Sequence, residues 1–164
     1  MLSKKMLAAL NQQINAELYS SYLYLSMAAW FESENLKGFA RWMHVQAQEE
    51  NAHAMKFYDY VNDRMARVSL AAIDAPPAEW ASAEAAFADT GKHEAKVTGL
   101  IQDLAALAAA EKDPATGVFL QWFLSEQVEE EATANDILAK LRMIKGSAGG
   151  LLMLDHQLGH RGKE

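Results

Sequence analysis

Glu50 and His53 stand three residues apart, so on a helix both project from one face toward the same point. A carboxylate and an imidazole placed this way form two arms of a divalent-metal site, although the pair alone is a weak signal. Three more acids strengthen it. Stepping alternately by three and four residues traces an apolar stripe through four separate stretches of the chain. Glu17 lies on one, with Leu10 and Ile14 before it and Tyr24, Ala28 and Phe31 after it. Met43, Gln46 and Phe57 flank Glu50 and His53; Thr90, Val97 and Ile101 flank Glu94; Phe123, Gln127, Ala134 and Ile137 flank Glu130. No Lys or Arg falls on these stripes at that level. Carboxylates turned into a core together cannot stay ionised and unpaired, because desolvation costs several kcal/mol each and their repulsion adds to it. Protonation is one escape and metal binding the other. Four carboxylates balance two divalent ions, and oxygen ligands with one imidazole suit Fe(II), Mn(II) or Zn(II) better than thiophilic metals.

Glu49 adjoins Glu50, and Glu126 and Glu129 flank Gln127 and Glu130. Neighbouring helical positions point about 100° apart, so these acids cannot all line the same seam. They read either as a solvated acidic face or as a third, looser metal position joined to the first two through Glu130. Tyr24, two turns beyond Glu17, reads either as a core tyrosine with a bonded hydroxyl or as a redox-active neighbour of the metals. Trp122 carries the same alternatives, and the methionines read as core filler.

The elements that must hold these residues are helices. Gly and Pro total only 12 of 164 residues, Ala and Leu dominate, and no useful strand-like alternation occurs. The breaks place four long helices at about 4–33, 36–64, 83–111 and 114–145. Asp113 is the expected N-cap of the fourth, with Pro114 at its first position, and Gly146 and Gly149-Gly150 are expected to end it. A short fifth helix is expected at about 151–158. Short joins make hairpins of the first two helices and of the last two long ones. Residues 65–82 form a long link. A 28-residue helix is roughly 42 Å long, and eighteen extended residues reach about 60 Å, so the link can cross the bundle's length. The expected fold is all-α: one domain over 1–164, an up-down-down-up four-helix bundle with one long crossover. The four seam acids lie near helix midpoints and so share one level whichever way each helix runs.

Composition narrows the function classes. Fifteen Lys and Arg against 22 Asp and Glu give a net charge of −7, which argues against nucleic acid or anionic membrane as the main partner and fits cations as ligands. The absence of cysteine removes disulfides, thiolate zinc sites, cysteine-ligated iron–sulfur clusters and cysteine nucleophiles. The apolar stretch from Met6 to Leu10 is too short for a secretory signal, and no run of eighteen apolar residues occurs. A soluble, cytoplasmic protein is expected.

Over essentially its whole length the sequence is similar to the bacterial non-haem ferritins. The resemblance is carried by Asn15-Ala-Glu17-Leu-Tyr-Ser-Ser21, Ala47-Gln-Glu49-Glu50-Asn-Ala-His53, Lys92-His-Glu94, and the segment from Phe119 to Glu131 containing Trp122, Glu126, Gln127, Glu129 and Glu130. It implies a ferroxidase centre that oxidises Fe(II) to Fe(III) with O2 or H2O2. Glu17, Glu50 and His53 would hold the first iron. Glu50, Glu94 and Glu130 would hold the second, with Glu50 bridging. Gln127 would lie beside the pair, and Tyr24 would be able to donate an extra electron. Glu49, Glu126, Glu129 and Glu130 would form the third site. Iron is the implied metal, without haem, and Zn(II) is an expected substitute. The implied assembly is a hollow homo-oligomeric shell of 24 subunits, with the short C-terminal helix at the four-fold axis and ferric mineral stored inside.

Departures from related families narrow the resemblance. Bacterioferritins and many di-iron oxidases repeat Glu-x-x-His on the fourth helix, where this chain has Gln127 and Glu130. Asn51 stands where bacterioferritins place a haem-ligating Met, and the lack of cysteine disfavours a rubrerythrin. Gly117 and Leu120 occupy the positions of the acids in the iron channel of animal ferritins, so that route does not carry over. The competing class is a di-iron or di-manganese oxidase or peroxidase acting on another substrate. It would need a pocket beside the metals, where the seams instead offer Ile14, Tyr24, Val97 and Ile101.

Overall fold

The computed structural model describes residues 1–162; the last two residues of the expected domain lie outside the described residues. Five helices and no strand are present among the described residues: α1 (Lys4–Ser33), α2 (Lys37–Asp63), α3 (Ala83–Ala110), α4 (Pro114–Ile144) and α5 (Ala148–Leu158). None is long and apolar enough to cross a membrane. Side-chain oxygens start four of them: Ser3 accepts from Met6 N–H, Ser82 from Ala85 N–H, Asp113 from Thr116 N–H and Ser147 from Gly150 N–H. At α2 the N-cap Leu36 has no such oxygen, and Asp155 of α5 supplies it, accepting from Phe39 N–H at 3.0 Å. The long helices end at left-handed residues Asn35, Met65, Lys112 and Lys145.

α5 begins three residues before its expected start, and the pair Gly149-Gly150 lies in its first turn rather than ending α4. The reason is local. Ser147 caps the new helix, and a Cβ on Gly150 would come within 2.8 Å of Ile144 Cγ2. These glycines permit a close helix-to-helix turn, while α4 stops at Ile144, before Lys145 and Gly146 with their positive φ.

α1 packs against α2, α3 against α4, and α1 also against α3. Thr90 reaches Met27 and Glu94 reaches Tyr24, so α1 and α3 run antiparallel, which gives the up-down-down-up bundle. The crossover follows α1. Ser69 N–H donates to Asn11 Oδ1 at 2.9 Å, Asn15 Nδ2 donates to the Ala72 carbonyl at 3.0 Å, and Ser26 Oγ donates to the Pro77 carbonyl at 2.6 Å. Trp80 then packs edge-on against Trp30. At the far end Arg64 ties the end of α2 to the start of α4 through Asp113, at 3.1 Å, and Thr116.

The core has two apolar halves. One contains Met27, Phe31, Phe39, Met43, Phe87 and Leu141, closed below by Leu154 and Leu158 of α5. The other contains Leu10, Ile14, Phe57, Ile101, Leu120 and Phe123. Burying large aliphatic and aromatic side chains contributes about 1.5–3 kcal/mol each, so either half is a substantial packing unit. Between them lies a polar layer.

α5 docks where α2 lacks a side chain. A Cβ on Gly38 would sit 1.6 Å from the Asp155 carbonyl oxygen. Gly38→Ala must therefore push α5 off α2 and remove the cap on Phe39. The expected cost is about 1–3 kcal/mol. Hydrogen exchange should show α5 amides losing protection while mid-helix amides of α1 and α3 keep theirs; unchanged protection in α5 would contradict this packing.

Candidate metal centre

The polar layer is built from one or two turns of each long helix. Glu17 comes from α1, Gln46, Glu50 and His53 from α2, Glu94 from α3, and Gln127 and Glu130 from α4; all seven are buried. The seam spacing therefore delivers these side chains to one level. Ligand atoms of Glu17, Glu50 and His53 lie within 4.8 Å of one another, and so do those of Glu50, Glu94 and Glu130. Glu50 belongs to both groups. His53 Nδ1 is 3.3 Å from Glu50 Oε2, and its Nε2 is 4.0 Å from Glu126 Oε1. Among the described residues, no Lys or Arg forms an ion pair with Glu17, Glu50, Glu94 or Glu130.

The layer is held by amides and a phenol. Gln13 Nε2 donates to Glu17 Oε1 at 2.8 Å, and Gln46 Nε2 donates to Glu50 Oε1 at 3.1 Å and to Glu130 Oε2 at 2.8 Å. Gln127 Nε2 donates to Glu94 Oε2 at 3.2 Å and to Thr98 Oγ1 at 3.3 Å, and the Thr98 hydroxyl passes the chain on to Glu131. The fully buried Tyr24 hydroxyl donates to Glu94. Among the described residues, two buried side-chain oxygens remain without a hydrogen-bond partner, Glu17 Oε2 and Gln46 Oε1. An orphaned buried carboxylate oxygen costs desolvation energy unless a proton or a cation meets it.

Charge is correspondingly unfavourable. Burial, then the charge of Glu50, raises Glu17 well above the usual carboxylate range. The same causes push Glu94 up to about 8 and Glu130 up to about 7. Burial works to lower His53, but its hydrogen bond to Glu50 and the surrounding carboxylates win and raise it. Burial and the charge of Glu94 hold Tyr24 well above its ordinary value, so it stays a phenol at neutral pH. Protons thus occupy places that divalent cations can take. The donor set of hard carboxylates, one imidazole and an orphaned oxygen fits Fe(II) or Zn(II).

The outer acids are arranged differently. Glu126 joins His53 and Glu130 in a third group with ligand atoms within 4.8 Å. Glu49 instead pairs with Arg161, and Glu129 is exposed and outside all three groups. Trp122 is 40% exposed, which removes its reading as core. Its ring stands edge-on to His53 at 5.3 Å, and the Lys56 ammonium lies over it, 2.9 Å from the ring centre.

Sequence reasoning gave no role to Gln13, Gln46 or Arg161. For the two glutamines a signal existed: each precedes a seam glutamate by four residues, the spacing that joins side chains on one helix face. For Arg161 there was none, because its partner lies 112 positions away.

An antiparallel bundle with a long crossover and carboxylates plus histidine across its middle defines the class of helical-bundle carboxylate metalloproteins. Within that class the comparisons are decisive. A family model described as a ferritin-like domain matches residues 7–144. A bacterial non-heme ferritin of Bacteroides fragilis is 44% identical over 98% of this chain and all of its own, and one from Staphylococcus aureus is 40% identical over 98% and 97%. The solved open-pore ferritin of the hyperthermophilic archaeon Archaeoglobus fulgidus superposes with a TM-score of 0.98 at 55% identity, covering 98% of this chain and 99% of that one. This chain belongs to the ferritin family.

Proposed function

We propose that this protein stores and detoxifies iron by oxidising Fe(II) to Fe(III) at the polar layer and depositing the ferric product inside a shell of 24 copies. The observation that carries the reading is the convergence of four buried carboxylates and His53 at one level with no basic side chain among them. Iron is substrate and cargo. One Fe(II) is held by Glu17, Glu50 and His53, the second by Glu50, Glu94 and Glu130, with Glu50 shared. Two positive ions replace protons and relieve the repulsion. Each Fe(II) then gives one electron to O2, which with two protons leaves as H2O2, and hydrolysis of Fe(III) releases protons.

The chain's own residues position and tune this chemistry. Gln13 and Gln46 aim carboxylate oxygens into the layer, and Gln46 keeps Glu50 and Glu130 in register. Tyr24 donates to Glu94, and this hydrogen bond supports reading it as a neighbour of the second iron. Gln127 lies against Glu94, within the layer. Glu126 and Glu130, with His53 behind them, begin a third position. Glu49 and Glu129 complete it by turning inward, and it gives product a way out of the pair. Ligand exchange in that direction needs no haem, and Zn(II) blocks the pair without turnover. The membership of the family supports a soluble, cytoplasmic shell of identical subunits.

Aerobic Fe(II) loading of the metal-free protein, followed by size-exclusion chromatography, tests the whole reading. Iron far above three per chain, co-eluting with protein at several hundred kilodaltons, is the expected result. About two irons per chain on a small oligomer would instead make this a di-iron oxidase with another substrate.

A further inference from the structure

We propose that Arg161 is the resident cation at Glu49 and competes with iron for that carboxylate, setting how tightly metal is held at the third position. The proposal rests on the reading of Glu49 as a ligand there. After α5 the chain turns back over α2 and is fastened to it. Arg41 Nε donates to the Arg161 carbonyl at 2.9 Å, and Arg41 Nη2 donates to the Gly162 carbonyl at 3.1 Å. The Arg161 guanidinium lies over the Trp42 ring, 4.3 Å from its centre, and Nη1 donates to the Trp42 carbonyl at 3.5 Å. Its other nitrogen pairs with Glu49 Oε2. Arg161 is therefore delivered to Glu49 by four contacts made on the same helix.

Glu49 adjoins Glu50, the carboxylate shared by both inner positions, yet it stands outside the group formed by His53, Glu126 and Glu130. The guanidinium engages one of the two Glu49 carboxylate oxygens, Oε2, and draws on the charge an ion would use. An ion that takes Glu49 Oε2 must displace the guanidinium from it. An incoming divalent ion carries twice the charge and can displace it, at the cost of the pair and the Trp42 stack. The third position is then weakened without being closed, which suits a place that iron must leave.

Zn(II) titrations near neutral pH by calorimetry read this without turnover. Arg161→Gln should tighten the weakest class of Zn(II) sites about fivefold, the worth of a partly exposed ion pair, and leave the two tighter classes and the initial rate of Fe(II) oxidation unchanged. Arg41→Gln, which loosens the tail without touching Glu49, should act in the same direction. Glu49→Gln should remove the weakest class, and Arg161→Gln added to it should change nothing further. If Glu49→Gln removes that class but Arg161→Gln leaves its affinity alone, Arg161 is a tether only and the proposal is overturned. If Glu49→Gln leaves all classes intact, the third-position reading itself fails.

Discussion

Glu50→Gln should abolish rapid Fe(II) oxidation. The substitution keeps shape and removes one charge, so its effect is on ions rather than packing. Glu50 is the residue common to both inner groups of ligand atoms, and no other carboxylate stands in that relation. Losing it weakens both positions at once. Changes to groups that merely support a ligand cost about 10–100-fold, so the loss of a shared ligand should exceed 100-fold in initial rate. The same variant should make the metal-free protein more stable. The charge of Glu50 is the chief electrostatic cause, after burial, of the raised Glu17, Glu94 and Glu130 values. Stopped-flow oxidation with melting curves of the metal-free form checks both halves. An undiminished initial rate would remove the layer as the site of chemistry.

The metal-free protein should lose stability progressively as pH rises from about 5 to about 8, and Zn(II) should restore it. Glu94 and Glu130 rise to about 8 and about 7 in the folded chain, against an unfolded carboxyl near 4.5. A group whose folded pKa is raised gives its full stabilisation below its unfolded value and loses it as pH climbs through the folded value. Each therefore stabilises the fold while protonated, and that contribution declines as pH rises above about 4.5 and is gone once pH passes roughly 7 to 8. Raised His53 and Glu17 act with the same sign. The melting temperature of the metal-free form should fall across this window. With saturating Zn(II) the fall should vanish, since the ions bind only the folded state. Metal uptake should release more protons at pH 6.5 than at pH 8.5. A melting temperature that rises steadily with pH in the metal-free form would refute the charge assignment.

The sequence exposed most of the frame because the seams are regular. Stepping by three and four through α3 names Phe87, Thr90, Glu94, Val97, Ile101, Leu104 and Ala108, all of which are buried. Glu-x-x-His on α2 and lone acids on the other three stripes marked the level of the polar layer. What periodicity could not show was contact made across long separations. Arg161 reaches Glu49 from the end of the chain, and Asp155 caps α2 from α5. Those pairings depend on how α5 packs, and α5 depends on glycines whose use is close approach rather than helix breaking. Exposure of Trp122 was equally hidden, because a helix face becomes outer or inner only when its neighbours are placed.

The core is two apolar halves with a buried, acid-rich waist between them. Each half closes on its own aromatic and aliphatic contacts. With two substantial apolar units, folding is expected to proceed without a metal, unlike small zinc modules that collapse only around theirs. On the proposed reading, the chain would be held metal-free during scarcity with the waist protonated, and would be put to use when iron arrives. Supply and demand are thus separated in time by the placing of one layer of acids.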